Sequence, residues 1–239
     1  MVNSVIKGFV RDLLDYLAPQ RCIYCDQPSH RQERICEVCE DALILNDSAC
    51  PRCALPDMGA RLCPGCLERD PALKSVTAAF VYDAAIAYFI HRWKYLGEAN
   101  LSLTAAKIFK NTGITFKNPD LVIATPLHWR RQLRRGFNQS EDLLQALCAL
   151  YPELNDRTAA DVKLKRKKVT KAQARASRRE RLSNLRDAFA VTGDVRGCRV
   201  GIVDDVCTTG ATGNAMATAL LQAGASEVHL ICLARTPSP

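Results

Sequence analysis

The sequence lacks any apolar run long enough to cross a bilayer, and no small-residue cleavage site follows its N-terminal segment. These absences exclude a membrane-spanning protein and disfavour a secreted one. Residues 2–18 instead place apolar side chains at helical spacing, with charged residues between them. We predict an amphipathic helix over residues 1–20 that packs against its own protein, in preference to a membrane-surface anchor. A cytoplasmic protein with no transmembrane segment is therefore expected.

Disulfide bonds are not expected, because twelve cysteines in a reducing compartment do not form a disulfide framework. Eight of the cysteines lie between residues 22 and 66, all in Cys-x-x-Cys pairs, with spacers of ten, ten and nine residues between the pairs. A structural zinc ion takes two such pairs as its four thiolate ligands. A redox motif would need only one pair, at the start of a helix in a βαβ unit. The sequence therefore predicts two structural zinc sites, with the ligands Cys22, Cys25, Cys36, Cys39, Cys50, Cys53, Cys63 and Cys66.

These ligands define a double zinc-ribbon-like module over residues 21–72. Sequential pairing of the cysteine pairs would give two stacked ribbons, and interleaved pairing would give a cross-brace. Sequential pairing is favoured, because each spacer is able to form a short hairpin. A region this short cannot build an adequate apolar core, so the metal has a structural role. Binding of nucleic acid or protein by the module stays open.

After residue 72 the pattern changes to β-prone runs that alternate with helical segments. Such alternation predicts an α/β domain over residues 73–239, with a parallel sheet flanked by helices on both faces. In sheets of this kind, ligands bind in the loops at the carboxyl ends of the strands. Strands are predicted over residues 76–82, 121–124, 161–164, 188–191, 199–203 and 228–234, and helices over residues 84–110 with a break near 97, 138–151, 171–184 and 212–223.

The most informative segment is residues 200–212. Two carboxylates, Asp204 and Asp205, end a buried strand there, where they are costly unless they meet hydroxyls, a metal or backbone amides. Gly210 lets the chain turn closely around a ligand, and the helix that follows directs free amides and its positive dipole end at an anion. The segment thus predicts a sugar-phosphate cradle. Cys207 has no histidine near it in the sequence, and we interpret it as a small filler rather than a nucleophile.

This segment resembles the sugar-phosphate loop of type I phosphoribosyltransferases. The resemblance implies that Asp204 and Asp205 contact the ribose 2′ and 3′ hydroxyls of phosphoribosyl pyrophosphate (PRPP), which binds with magnesium. Some relatives with such a loop are regulators, so the loop implies a ligand without implying catalysis. The residues implied to hold the 5′-phosphate are Thr208, Thr209, Gly210, Ala211 and Thr212.

Further segments narrow the resemblance to the ComF/GntX family of competence-associated, phosphoribosyltransferase-like proteins. Besides the zinc module, they are Thr125-Pro-Leu-His-Trp129 with four arginines and Gly136-Phe-Asn-Gln139 after it, Thr170-x-x-Gln173, Arg181-x-x-Asn184 and Ala188-Phe189. The resemblance covers nearly the whole chain, from Cys22 to Ala234. Two departures are minor: Thr125 replaces a more usual apolar residue, and Ala176 stands where a leucine is commoner.

The family resemblance implies magnesium-dependent PRPP binding and a role in DNA uptake during natural transformation or in the use of external DNA. It places this role on the cytoplasmic side, with other competence proteins at the inner membrane among the partners. A loop with Leu127, His128 and Arg130 falls where type I enzymes bind pyrophosphate. His128 fits equally well as a loop residue with a backbone partner.

Single-stranded DNA is the predicted macromolecular partner. The formal net charge is +8, and residues 163–181 hold ten Lys or Arg with a single acid. This stretch falls where type I enzymes carry a loop that closes over the active site, so it either captures pyrophosphate or follows a nucleic-acid backbone. Rings and cations also alternate over residues 91–95, although one of the rings fits the core equally well. The candidate DNA-binding residues are Trp93, Lys94, Arg134, Arg135, Lys167, Lys168, Lys171, Arg175, Arg178 and Arg179.

Three functions fit these features. The first is a PRPP-binding competence protein that handles incoming single-stranded DNA. The second is a magnesium-dependent phosphoribosyltransferase that acts on a free base or a nucleotide-related acceptor. The third is a non-catalytic zinc adaptor with a vestigial cradle. A free-base enzyme needs a hood that recognises the base, and the sequence offers no spare segment for an elaborate one, which favours the first function.

Overall fold

The protein is represented by a computed structural model that describes residues 20–29, 31, 33–96, 98, 100–115, 118–127, 136–158, 161–166 and 188–238. The helices predicted at the N-terminus and over residues 171–184 lie outside this part of the chain. The helices are α1 (Glu37–Asp41), α2 (Pro64–Glu68), α3 (Ala84–Tyr95), α4 (Leu101–Asn111), α5 (Gln139–Leu150) and α6 (Ala211–Gln222), with a 3-10 helix at Pro152–Arg157. The strands are β1 (Ser75–Val81), β2 (Leu121–Ala124), β3 (Lys163–Arg166), β4 (Phe189–Thr192), β5 (Arg199–Cys207) and β6 (Glu227–Arg235).

The main sheet is parallel, as predicted, with the strand order β1-β6-β5-β2. The central strands β5 and β6 are long and almost wholly buried, which explains their near-continuous apolar sequences. The carboxyl ends of all four strands lie at one edge, and the segment after β5 leads directly into α6. This arrangement brings the ends of strands that are distant in the sequence to one site.

The strands β3 and β4 differ from the prediction of a single sheet. They pair antiparallel with each other in a separate two-stranded sheet, with Lys163 opposite Thr192 and Arg166 opposite Phe189. Leu164 and Phe189 face the core, where they pack in the same apolar cluster as α6. β3 therefore holds the first residues of the basic segment and β4 begins eight residues after its end, while residues 167–187 between the two strands lie outside the described residues.

Two apolar clusters cover the two faces of the main sheet. One contains the buried side chains of α3, α4 and α5, with Trp93 and Phe109 among the largest. The other contains α6, β3 and β4. The break predicted near residue 97 separates α3 from α4, and Asp83 caps α3 through a hydrogen bond from the amide of Ile86 at 2.9 Å. Helices on both faces, as predicted, make this an α/β fold.

The cysteine module lies against the α/β domain along β1. Residues 44–46 pair with the outer edge of β1, through the bridge between Leu45 and Phe80 and the hydrogen bond from the amide of Val81 to the carbonyl of Ile44 at 2.9 Å. On the same strand, the amide of Val76 donates to the carbonyl of Arg52 at 2.8 Å. The module therefore covers a sheet edge that would otherwise present unpaired backbone groups.

Within the described ranges, no helix has both the length and the apolar character that crossing a membrane requires.

Candidate functional site

The eight cysteines of the pairs come together as two groups of four. Within each group, the sulfur atoms all lie within 4.8 Å of one another. The first group joins the first two pairs and the second group joins the last two, so the pairing is sequential. The groups are Cys22, Cys25, Cys36 and Cys39 in the first ribbon, and Cys50, Cys53, Cys63 and Cys66 in the second.

The leading knuckles of the two ribbons have the same backbone geometry. In each, the amide of the first cysteine donates at 2.8 Å to a carbonyl five residues later. The residue after the second cysteine adopts a left-handed conformation, with φ of 59° at Asp26 and 54° at Ala54. This tight turn directs both sulfur atoms of a pair to one point, which is the geometry that a tetrahedral metal site requires.

The chemistry of the donor atoms also fits zinc. Burial raises the pKa of the Cys22 thiol, but backbone hydrogen bonds outweigh it and lower the pKa to about 7. At Cys50, backbone hydrogen bonds likewise outweigh burial and lower the pKa to about 6. One of these comes from the amide of Cys63, 3.4 Å from the Cys50 sulfur. Because the thiolate is the form that binds a metal, these amides favour the zinc-binding state.

A pair of carboxylates lies near the C-terminal end of β5, at the carboxyl edge of the main sheet, with Asp205 buried and Asp204 half-buried. Asp204 Oδ1 accepts hydrogen bonds from the Ser140 hydroxyl at 3.0 Å and from the amide of Asp205 at 2.9 Å. Burial and the neighbouring charge of Asp205 raise the pKa of Asp204. The charged form of such a carboxylate is stabilised by any ligand that brings hydroxyl donors or positive charge, and a ribose and a magnesium ion bring these.

Lys94 forms an ion pair with Asp205 from the last turn of α3. Both side chains are largely buried, so the pair lies inside the site rather than on an open surface. The Lys94 ammonium also acts on Asp204, where its charge lowers the pKa against the larger effects of burial and Asp205. The acidic pair therefore has a cation, Lys94, directly beside it.

The loop from Thr208 to Thr212 follows the carboxylates and opens α6. Gly210 stands at the N-cap with φ of 74°, a conformation that a side chain would strain. Because glycine has no side chain, it offers no cap to the first amides of the helix, and the amide of Ala211 donates instead to Thr209 Oγ1 at 3.3 Å. Amides and the helix dipole at this end can receive a phosphate.

The neighbouring strand β2 brings a second loop to the same edge. The amide of Thr125 donates to the carbonyl of Val203 at 2.9 Å, directly before the acidic pair. Leu127 lies two residues farther on and is half-buried. The other two residues predicted for the pyrophosphate loop, His128 and Arg130, lie outside the described residues.

Two comparisons with known proteins bear on this chain. The double zinc ribbon domain matches residues 13–67, and the phosphoribosyl transferase domain matches residues 105–239. The DNA utilization protein YhgH of Salmonella typhimurium is 33% identical over 235 residues, which cover 91% of this chain and 98% of that protein. The chain belongs to the ComF/GntX family. Competence protein F of Haemophilus influenzae, another ComF/GntX relative, is 30% identical over 229 residues, which cover 90% of this chain and 96% of that protein.

Two DNA-binding candidates of this ComF/GntX chain, Trp93 and Lys94, lie among the described residues. Trp93 has no solvent exposure and packs edge-on against Phe89, so its ring is not available to stack on a base. Lys94 is held by Asp205. Of the aromatic residues Trp93 and Tyr95, Tyr95 is the one with an exposed ring, at 52% exposure, and it lies beside His91. The remaining candidates lie outside the described residues: Arg134, Arg135, Lys167, Lys168, Lys171, Arg175, Arg178 and Arg179.

The sequence predicted neither Ser140 nor Arg235 as part of the site. Ser140 follows Asn138, whose side chain caps α5 and also donates to the carbonyl of Thr125 at 3.1 Å. A capping pattern at this helix start was the one local signal that could have indicated Ser140. Arg235, at the end of β6, contacts the backbone of the phosphate loop and gives no signal in its neighbouring sequence.

Proposed function

We propose that this chain binds PRPP with magnesium at the acidic pair and the phosphate loop, and that it uses this site in the handling of incoming DNA. The observation that carries the proposal is the order of the functional groups at the C-terminal end of β5 and the start of α6. Asp204 and Asp205 lie near the C-terminal end of β5, and Gly210 then opens α6 with a left-handed turn. Groups suited to hydroxyls and groups suited to a phosphate thus follow one another along the chain at one edge of the sheet.

The roles divide by chemistry. The two carboxylates accept hydrogen bonds from the ribose hydroxyls, and the amides and hydroxyls of Thr208 to Thr212 receive the 5′-phosphate. Magnesium bound with PRPP supplies positive charge to its pyrophosphate. Lys94 offsets part of the negative charge of the acidic pair, so that the anionic ligand does not meet two uncompensated carboxylates.

The DNA part of the proposal is supported by the names of the relatives and by the distribution of charge. One relative is named for DNA utilization and another for competence. In this chain, ten of the residues 163–181 are Lys or Arg. The strand β3, which begins this stretch, and the strand β4, which follows it in the chain, pack in the same apolar cluster as α6, which begins at the phosphate loop. Single-stranded DNA held by this stretch in the cytoplasm would lie near the PRPP site.

The test is a titration of PRPP, with and without magnesium, by isothermal calorimetry. We expect binding that requires magnesium and that is lost in the variant Asp204→Ala/Asp205→Ala. Asp120→Ala is the matched control, because Asp120 binds Arg199 at the opposite end of the same strand, with 2.9 Å between Oδ1 and Nη2. Absence of binding to the natural chain, or equal binding in the acidic-pair variant, would remove the proposal and favour the zinc adaptor.

A second arm of the experiment adds single-stranded DNA or small bases to the PRPP complex. A change in PRPP affinity with DNA alone supports the DNA-handling function. Release of pyrophosphate only in the presence of a base or a nucleotide-related acceptor would instead establish the phosphoribosyltransferase, with that acceptor as its substrate.

A further inference from the structure

Arg235 is a buried cation that is bound by backbone carbonyls. It is the last residue of β6, and only 7% of it is exposed. Among the described residues, no carboxylate lies within ion-pair distance of its guanidinium. A buried guanidinium is costly unless acceptors surround it, and acceptors with partial negative charge fill this role here.

The carbonyls around Arg235 come from two separate parts of the molecule. Nε donates to the carbonyl of Cys53 at 3.1 Å. Nη1 donates to the carbonyl of Cys207 at 3.2 Å, to that of Thr236 at 2.7 Å and to that of Thr208. One planar group thus joins a cysteine of the second metal site to the first residues of the phosphate loop.

A second contact joins the same two regions. Leu73, which follows the second ribbon, donates its amide to Asn214 Oδ1 at 3.2 Å. Asn214 in turn donates to the carbonyl of Gly210 at 3.0 Å, so this chain of bonds also ends at the phosphate loop. The second ribbon therefore reaches the loop from both of its ends.

The first ribbon makes no comparable contact among the described residues. Its bonds include those to α3 and to the segment between α3 and α4, on the other face of the sheet: Tyr24 donates to the carbonyl of Ala85 at 3.1 Å, and Arg34 Nη1 lies 2.6 Å from Glu98 Oε2. The two metal sites therefore share their knuckle geometry, but among the described residues only the second is connected to the phosphate loop.

We propose that Arg235 couples the metal of the second ribbon to the phosphate loop. The metal fixes the knuckle that contains Cys53, the carbonyl of Cys53 fixes one side of the guanidinium, and the other side holds the loop open for the 5′-phosphate. Arg235 is thus a positioning residue, and the second zinc site is a structural part of the ligand site. This inference rests on the proposed PRPP binding for its functional consequence, but not for the coupling itself.

The first experiment compares Arg235→Met with Arg34→Met, since each change removes one guanidinium that ties a ribbon to the α/β domain. We expect hydrogen exchange of the amides at residues 207–212 to become about tenfold faster in Arg235→Met and to stay unchanged in Arg34→Met. PRPP affinity should fall about tenfold in the first variant only. Arg235→Lys keeps the charge but lacks the planar fork, so it should fail to restore the loop.

The second experiment compares Cys50→Ser with Cys22→Ser, the leading ligands of the two sites, which are equally buried at 2% exposure. Mass spectrometry under native conditions should show that each variant loses one metal ion. Exchange at residues 207–212 should accelerate in Cys50→Ser and not in Cys22→Ser. Adding Arg235→Met to Cys50→Ser should produce little further change, because both act through one connection.

The outcomes separate the two proposals. Equal acceleration of loop exchange by Cys22→Ser and Cys50→Ser, or a loop unchanged in Arg235→Met, would overturn the coupling. Natural loop exchange in Arg235→Lys would also overturn it, because a single ammonium cannot span both sets of carbonyls. If Cys50→Ser does not fold, the pair of arginine variants still decides. If the natural chain fails to bind PRPP, the proposed function is wrong, but the hydrogen-exchange data still test whether Arg235 couples the second ribbon to the phosphate loop.

Discussion

The two zinc ribbons share their knuckle geometry and differ in how they are attached to the α/β domain. The first contributes buried apolar side chains, Ile23, Ile35 and Leu43, to the main core cluster on one face of the sheet. The second has a small cluster of its own around Cys50, Cys63 and Cys66, adds the small side chain of Ala54 to the cluster on the other face, and meets the domain through backbone bonds and Arg235. The same metal-binding motif thus supports the packing of the core in the first ribbon and the proposed ligand site in the second.

The largest difference should appear in the stability contributed by apolar contacts. Ile35 has no solvent exposure, so Ile35→Ala leaves a cavity in the main core and should lower the free energy of unfolding by about 2–5 kcal/mol. Leu55→Ala is the matched change in the second ribbon, where the side chain is half-buried, and should cost roughly half as much. Urea unfolding followed by circular dichroism measures both.

Equal losses in these two variants would contradict the division between a ribbon that shares the main core and one that does not. PRPP affinity gives an independent check. Ile35→Ala should leave it unchanged at temperatures where the variant is folded, because the first ribbon does not contact the phosphate loop in the described structure.

A smaller difference should appear in the ion pairs. Glu98 accepts hydrogen bonds from two arginines. Arg34 Nη1 lies 2.6 Å from Glu98 Oε2, and Arg92 Nε lies 2.9 Å from Glu98 Oε1. The side chain of Glu98 is only 15% exposed. Glu98→Gln should therefore cost about 1–3 kcal/mol, because two partly buried guanidinium groups lose their charged partner. The measurement is urea unfolding at low and at high salt.

Asp70→Asn provides the counterpart in the second ribbon. Asp70 pairs with Arg52, but its side chain is 90% exposed, so water and salt screen the pair and little stability should be lost. A larger effect of Asp70→Asn than of Glu98→Gln would show that the exposed pair within the second ribbon contributes more stability than the partly buried pairs of Glu98, and would contradict this expected screening.

The elements that follow local patterns were predicted closely from the sequence. The strand over residues 121–124 is β2 without change, and the strand predicted over 76–82 is β1 at 75–81. The alternation of apolar and polar residues and the positions of glycines are properties of neighbouring residues, so they indicate these elements without knowledge of the rest of the fold. The short helices α1 and α2 were missed, because each contains or adjoins a cysteine pair whose geometry is set by the site rather than by helix propensity.

The contacts that make the site could not be predicted in the same way. Arg235 binds a carbonyl 182 residues away in the sequence, and Lys94 on α3 binds a carboxylate on β5, so neither leaves a local pattern. Lys94 was predicted as a DNA-binding residue from its aromatic neighbours, and that pattern gave no indication of its ion pair with Asp205. The acidic pair itself was predicted because its chemistry lies in consecutive residues. Long-range partners depend on the order of strands, which the sequence pattern does not specify.

The smallest effect expected concerns the contact between α6 and the chain that follows the second ribbon. A Cβ atom at Gly213 would lie 2.9 Å from Leu73 Cδ1 and 3.1 Å from Leu230 Cδ2. Gly213→Ala should therefore lower the free energy of unfolding by about 1 kcal/mol, because crowding of Leu73 outweighs the gain in helix propensity. Gly65→Ala in α2 is the control, since a Cβ there meets nothing within 4 Å, and it should be neutral or slightly stabilising. Thermal unfolding of both variants measures this difference. If Gly213→Ala were as stable as Gly65→Ala, the side chain of Leu73 would have room to move away from α6, and the packing between α6 and the end of the second ribbon would be looser than the structure shows.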